Sequence, residues 1–257
     1  MKINFLLITA CLGGFLLFSG CNNEGCTDPD SLTYSPDAEE DDGSCTYPEV
    51  MLHMHPSVGM EDLVLGNTYT VNGTAVTFSV AQFYVSQVAL ATDGNADFSD
   101  EYLLVNAGQM MYGIGEFPAV HKHMLMLNIG VDSATNHADP TTYDASHVLA
   151  PQSPNMHWSW DNGYIFIKLE GMYDSDGDNV PDANFEYHIG KDSNLRRISL
   201  EVHAELENTT ETIDLMVDYA AFLDGIDFAT EAVSHTGDFP EVAAKIVANV
   251  PSVISVE

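Results

Sequence analysis

Strict alternation of apolar and polar residues in the C-terminal half most limits the fold of this 257-residue chain. Apolar residues occupy every second position from Ile198 to Leu206, and a second set does so from Ile213 to Tyr219. Because the side chains of a strand point alternately to its two faces, each run predicts a half-buried strand. The polar residues 208–211 separate the runs, so we interpret the pair as an antiparallel hairpin.

Further strand candidates with short spacing occur at 50–55, 68–71, 74–80, 83–91, 102–105, 122–130 and 163–170. Gly, Asn and Asp separate them and no run of helices intervenes, which favours a sandwich over a parallel sheet. One helix is indicated near the C-terminus, where we expect Asp238 to cap it, Pro240 to begin it and Asn249 to end it. The prediction is an all-β fold, an antiparallel β-sandwich with a short C-terminal helix.

The N-terminus predicts export. A Lys, an apolar run and small residues precede Cys21, and the run is too short for a spanning helix with proper flanks. The residues from Leu17 to Cys21 resemble a bacterial lipobox, with Phe18 where such boxes prefer Leu. We therefore expect residues 1–20 to be removed and Cys21 to be acylated, which anchors the chain to an extracytoplasmic membrane face. An ordinary signal peptide cut elsewhere, leaving Cys21 free for disulfides, is the alternative.

The remaining cysteines indicate a disulfide. With Cys11 removed and Cys21 acylated, Cys26 and Cys45 are left as a pair in an oxidising compartment, which favours a disulfide over metal ligation. Closing a loop of this length would stabilise the segment by about 3 kcal/mol in the chain-entropy model. We interpret residues 21–47 as an acidic, disulfide-stapled stalk and residues 48–257 as one domain.

Net charge excludes one class of partner. The chain carries 7 Lys plus Arg against 39 Asp plus Glu, a formal charge of −32 at pH 7, which would repel nucleic acid.

The chain also lacks the Gly-x-Ser-x-Gly, His-Glu-x-x-His and Cys-x-x-Cys-His signatures and any phosphate-binding Gly-rich loop. We therefore expect a binding protein without catalytic activity.

An acidic loop is a candidate calcium site. Carboxylates recur at Asp174, Asp176 and Asp178 and return at Asp182, with Gly177 available for the turn. Oxygen ligands at this spacing can wrap Ca²⁺, although Phe185 stands where an EF-hand has its bidentate Glu. A plain acidic turn is the alternative interpretation.

Histidine and methionine are concentrated in three segments, at 52–56, 121–126 and 156–160. Imidazole and thioether ligands suit copper. By strand alternation His53 and His55 share one face, and His121 and His123 share another, so either pair could present two ring nitrogens together. The same alternation puts His203 on the charged face of its strand, where we expect it to be solvated.

One segment has a distinctive aromatic motif. It runs from Met156 to Gly171 and contains Trp158-Ser-Trp160 followed by Gly163-Tyr164. This segment resembles the most distinctive motif of the MbnP-like family of periplasmic copper-binding proteins. Supporting matches follow the family's order at Phe83 to Leu90, Ile129 to Ser133, Tyr187 to Gly190 and Ser234-His235. The resemblance covers most of residues 50–255.

The resemblance implies a β-sandwich that binds copper. In characterised relatives a Trp is oxidised to kynurenine by a di-haem protein of the peroxidase type, and the candidates here are Trp158 and Trp160. The copper ligands that it suggests are His53, His55 and His188, followed by His157 and His235. Two alternatives stay open: the Trp rings simply pack the core, or the protein is a calcium-stabilised adhesion or carbohydrate-binding sandwich.

Overall fold

The computed structural model describes residues 23–159 and 162–257. The predicted signal peptide, Cys21 and Trp160 lie outside the described residues. In the described part, the strands are β1 Glu24–Gly25, β2 Glu40–Asp41, β3 Glu49–Val58, β4 Glu61–Asp62, β5 Thr68–Val71, β6 Thr74–Ala91, β7 Ala96–Phe98, β8 Leu103–Asn106, β9 Met111–Glu116, β10 Lys122–Ile129, β11 His157–Ser159, β12 Gly163–Tyr173, β13 Ala183–Gly190, β14 Arg196–Ala204, β15 Thr210–Asp218, β16 Val233–Ser234 and β17 Ile254–Val256.

The helices are few and short. They are α1 Ser133–Asn136, α2 Phe228–Glu231 and α3 Pro240–Asn249, with 3-10 turns at Pro140–Thr142, Asp192–Asn194, Ala221–Leu223 and Val250–Ser252. No helix among residues 23–159 and 162–257 has the length and apolarity needed to cross a membrane.

Two main sheets form the fold. The ten-stranded sheet has the order β14-β10-β6-β12-β13-β16, with β5, β7 and β8 pairing with β6, and β11 with β12. The five-stranded sheet has the order β17-β15-β3-β4, with β9 also on β3. Most pairs are antiparallel, but β15 runs parallel to β3 and β16 runs parallel to β13. The predicted strands 74–80 and 83–91 are one continuous strand, β6.

Both sheets contribute to one hydrophobic core. Leu52 and Met54 of β3 pack in the same cluster as Phe83 of β6 and Phe185 of β13, all at most 1% exposed. Alternate residues of β3 and β13 are buried, so their polar residues lie on the outer faces, whereas the central strand β6 is buried along most of its length. The predicted all-β sandwich is confirmed.

The predicted hairpin is wrong. The two alternating runs do form strands with the expected apolar faces, yet β14 pairs with β10 and β15 pairs with β3 and β17. The connection between β14 and β15 therefore passes from one sheet to the other. Alternation defines which face of a strand is buried, but it carries no information about the strand that forms its hydrogen bonds.

The C-terminal helix begins and ends where predicted, at Pro240 and Asn249, but its cap differs. Phe239, with φ 60°, occupies the N-cap position and no side chain caps the helix, so the prediction for Asp238 is wrong. The hydroxyl of Ser234 instead donates to the carbonyls of Asp238 and Phe239, which holds this turn.

The N-terminal segment contains the predicted disulfide between Cys26 and Cys45, which closes a separation of 19 residues. β1, immediately before Cys26, pairs in parallel with β2, which lies inside the loop. The hydroxyl of Tyr47 donates to Asp28 at 2.6 Å, which ties the end of the loop to its beginning.

Candidate metal centre

The start of β12 is fixed to α1 by a close approach between Gly163 and Asn136. Gly163 has φ +69°, and a Cβ there would lie 2.3 Å from Oδ1 of Asn136. This same oxygen accepts a hydrogen bond of 2.8 Å from the Tyr164 N–H, while the Asn136 amide donates to Asp192 at 2.7 Å. Glycine is thus required at 163 both by its backbone conformation and by the space that Asn136 fills.

Trp158 packs against the end of β13. A Cβ on Gly190 would lie 2.7 Å from Cζ3 of the Trp158 ring and 2.4 Å from the backbone oxygen of Tyr164. Only glycine lets the indole and the neighbouring strand approach this closely. The position of Trp158 is therefore set by Gly190, two residues after His188.

His188 lies on the outer face of β13 beside an ion pair. Its Nε2 is 2.7 Å from Oε1 of Glu170, and this carboxylate oxygen also lies 3.1 Å from Nζ of Lys168. Lys168 and Glu170 are two residues apart on β12, so both face the same side as His188. The ring of His235 is next to His188, with 4.9 Å between the ring centroids.

A hydroxyl group holds His235 in this place. Thr236 accepts a hydrogen bond of 2.9 Å from the Gly190 N–H and donates one of 3.1 Å to the His188 carbonyl. The segment after β16 is thereby fastened to the last residues of β13. His235 contributes to a cleft of about 410 Å³ that is lined by Trp158, Asn162, Lys191, His235, Gly237 and Asp238.

The protonation of His188 suits metal ligation. Burial lowers the pKa of His188 below its ordinary value, against the opposing hydrogen bond to Glu170. Partial desolvation acts to raise the pKa of Glu170. The contacts with His188 and Lys168 outweigh this effect, so the pKa lies below its usual range. A neutral His188 that donates Nε2–H to Glu170 keeps its lone pair on Nδ1, available for a metal, with the carboxylate orienting the ring.

Comparison with known proteins identifies the family of this chain. The family model described as MbnP matches residues 47–238, three quarters of the chain. This chain belongs to the MbnP family. The solved structure of MbnP from Methylosinus trichosporium superposes with a TM-score of 0.53 at 13% identity, covering 77% of this chain and 87% of that one. A search of curated proteins finds no match.

The expected copper ligands of this MbnP family member fall into separate groups. His53 and His55 lie on β3 of the five-stranded sheet, whereas His188 belongs to the ten-stranded sheet. Nδ1 of His53 is 2.9 Å from Asp214. His55 lies between two carboxylates, with Nε2 3.0 Å from Asp62 and Nδ1 3.3 Å from the side chain of Glu257.

His157 stands apart from both pairs in its described contacts. Its ring meets Tyr164 edge-on, with 4.8 Å between the ring centroids. Burial lowers the pKa of His157, against the opposing charge of Asp139. The structure therefore brings together His188 and His235 with Trp158, and separately His53 with His55.

The acidic loop between β12 and β13 does assemble three of its four predicted carboxylates. Asp174, Asp176 and Asp178 each offer an oxygen within 4.8 Å of the others. Asp182 accepts from the Ser175 N–H at 3.0 Å instead. Asp174 is already occupied by three backbone N–H groups of the loop. Calcium binding at this loop stays a prediction.

Sequence reasoning missed Glu170 and Thr236. Glu170 lies inside the distinctive segment, and its spacing of two from Lys168 signals that both share one face of β12. Thr236 had no such signal, because its role depends on the parallel contact between β16 and β13.

Proposed function

We propose that this protein is an extracytoplasmic lipoprotein that binds copper for storage, uptake or handover, without catalytic activity of its own. Membership of the MbnP family supports the association with copper. The N-terminal lipobox-like sequence supports anchoring through Cys21. The excess of acidic residues favours accumulation of cations near the surface and excludes nucleic acid as a partner.

The observation that carries the proposal is that His188 neighbours His235, and that His235 lines a cleft together with the indole of Trp158. The rings of His188 and His235 are 4.9 Å apart, and His235 and Trp158 line the same cleft. Neutral imidazole nitrogens are ligands that copper prefers. The donor set therefore fits copper, with Glu170 orienting the His188 ring.

We propose Trp158 as the residue that is oxidised to kynurenine. That product would supply an aryl amine and a carbonyl beside the imidazoles. The conversion needs an external oxidant, and a di-haem protein of the peroxidase type is the proposed partner. Trp158 packs against the core but is only partly buried, and it lines an open cleft, so it is available to such a partner.

Copper titration of matched variants tests the ligand assignment. His188→Gln keeps an amide near the position of Nε2, so the contact with Glu170 survives while the lone pair on Nδ1 is lost. We expect this variant and His235→Ala to lose one copper equivalent. His147→Asn is the control, since Asn retains an acceptor for the Leu149 N–H that His147 binds at 3.1 Å.

The other histidine pair provides the competing outcome. If the double variant His53→Ala and His55→Ala loses the copper equivalent and His188→Gln keeps it, copper binds at β3 instead of the cleft. If no variant changes copper uptake and only calcium is bound, the calcium-stabilised adhesion or carbohydrate-binding sandwich is the better account.

Mass spectrometry of the protein from its native host tests the modification. Peptide mapping should find a mass gain that fits kynurenine at Trp158, and a diacyl or triacyl group on Cys21. Two unmodified Trp residues in copper-loaded protein would refute the proposed oxidation while leaving the histidine centre intact.

A further inference from the structure

A second cluster of histidines occurs at the other end of the ten-stranded sheet. His121 immediately precedes β10, His123 lies within it, and His203 lies on the neighbouring strand β14. The three rings are mutual neighbours, with centroid separations of 4.4, 6.0 and 6.3 Å. This histidine cluster shares no residue with the proposed copper centre.

A shift of register brings the third ring into the cluster. Lys122 is opposite Ala204 and Met124 is opposite Glu201, so two residues, Val202 and His203, lie opposite His123. Such a bulge re-aims side chains and is common beside functional sites. Val202 points into the core at 2% exposure, and His203 consequently points outward.

The exposure of the two other histidines gives their direction. Lys122 between them is fully buried and donates to Asp97 at 2.6 Å. His121 and His123 are partly exposed, and their rings lie 4.4 Å apart beside the ring of His203. Both imidazoles therefore reach the surface next to His203.

The arrangement of nitrogens is close to that of a metal site. One ring nitrogen from each histidine lies within 4.8 Å of the other two. Nitrogens bound tetrahedrally at 2.0–2.1 Å from a zinc ion are roughly 3.4 Å apart. Side-chain rotations would bring the three nitrogens to this spacing around an ion. The side chains of His121, His123 and His203 are 30%, 39% and 71% exposed.

Carboxylates surround the cluster. Oε1 of Glu205 lies 2.7 Å from Nδ1 of His121, although the buried Nδ1 has no hydrogen bond of proper alignment. Asp93 and Glu201 each approach a ring nitrogen at 3.9 Å. Such groups orient ligating imidazoles and raise the local concentration of cations.

We propose that His121, His123 and His203 form a second metal site, which binds one divalent first-row transition-metal ion such as Zn²⁺ or Cu²⁺. Three imidazoles leave a fourth position for water, the ligand set of open zinc sites. The site is accessible from solvent and is independent of Trp oxidation. When both sites are filled, the protein would bind one metal ion at this cluster in addition to the copper at the proposed copper centre.

Zinc titration of metal-stripped mature protein tests the site. His203 is the most exposed of the three, so His203→Ala should leave the free energy of unfolding unchanged while removing one zinc equivalent or weakening it by at least tenfold. His123→Ala should have the same effect on zinc. The control is His137→Ala, because His137 is exposed and contacts Asp192 outside the cluster.

Paramagnetic broadening gives a local readout. Substoichiometric Cu²⁺ should broaden the imidazole signals of His121, His123 and His203 in protein carrying His188→Gln, where the copper centre is disabled. Unchanged zinc stoichiometry in both single variants, or broadening confined to other histidines, would overturn the proposal. If Cu²⁺ broadens the signals of the three cluster histidines but the protein binds no zinc equivalent there, the zinc assignment is overturned and the site is a copper site.

Discussion

The buried ion pair of Lys122 and Asp97 offers the sharpest test of the packing around the histidine cluster. Nζ of Lys122 lies 2.6 Å from Oδ2 of Asp97, and the lysine is fully buried while the Asp97 side chain is 26% exposed. Asp97→Asn keeps the shape of the partner but removes its charge. Lys122→Met keeps most of the aliphatic stem and removes the charge that needs a partner.

The two variants should change the free energy of unfolding by different amounts or in opposite directions. Breaking a buried pair by removing one charge typically costs about 3–5 kcal/mol, because the other charge stays desolvated. The partial exposure of Asp97 favours a value at or below the lower end of this range, so we expect Asp97→Asn to lose about 2–3 kcal/mol, roughly 30- to 160-fold in the folding equilibrium. Lys122→Met should change the free energy of unfolding by less than about 1 kcal/mol, or increase it.

Urea unfolding followed by circular dichroism measures both values under one set of conditions. The free energy of unfolding of the double variant should resemble that of Lys122→Met. Without the Lys122 charge there is no buried cation that the Asp97 carboxylate would have to neutralise. Equal losses for the two single variants would refute the reasoning, because they would mean that the pair itself, and not the cost of an isolated buried charge, determines stability.

Three further predictions concern the cleft and the acidic loop. Gly190→Ala forces a Cβ against Trp158 and should cost more than about 2 kcal/mol in urea unfolding; an unchanged midpoint would contradict the close approach. Glu170→Gln removes the contact that raises the pKa of His188, so NMR titration should find a lower pKa, and a rise would refute the assignment. Since the folded-state pKa of His188 is depressed, its contribution to stability is complete above the unfolded value of about 6.5 and is lost as pH falls below it. Ca²⁺ should raise the thermal midpoint, and Asp176→Asn should reduce that rise; no effect of Ca²⁺ would leave a plain acidic turn.

Much of the fold follows from local pattern. The alternation around Ile198 and Ile213 predicts the buried faces of β14 and β15 correctly, because a strand's period of two is a property of its own backbone. The disulfide between Cys26 and Cys45 follows from counting the cysteines that remain after export. The segment from Met156 to Gly171 identifies the family even though its Trp160 lies outside the described residues.

The candidate site could be predicted only in part. His188, His235 and Trp158 were all singled out, yet so were His53 and His55, which the fold places on another sheet. His53, His55 and His188 all lie on strands between apolar residues, so local pattern gives no reason to separate them. Distinguishing them needs the strand order, which depends on contacts between residues far apart in sequence.

What the sequence by itself determined is therefore the set of buried strand faces, the disulfide and the family. The tertiary structure alone decided which faces meet: it joined His203 to His121 and His123 through a one-residue shift of register, and it set Trp158 against Gly190. The physical reason is that alternation is fixed by each strand's backbone, whereas pairing and register minimise the free energy of the whole core.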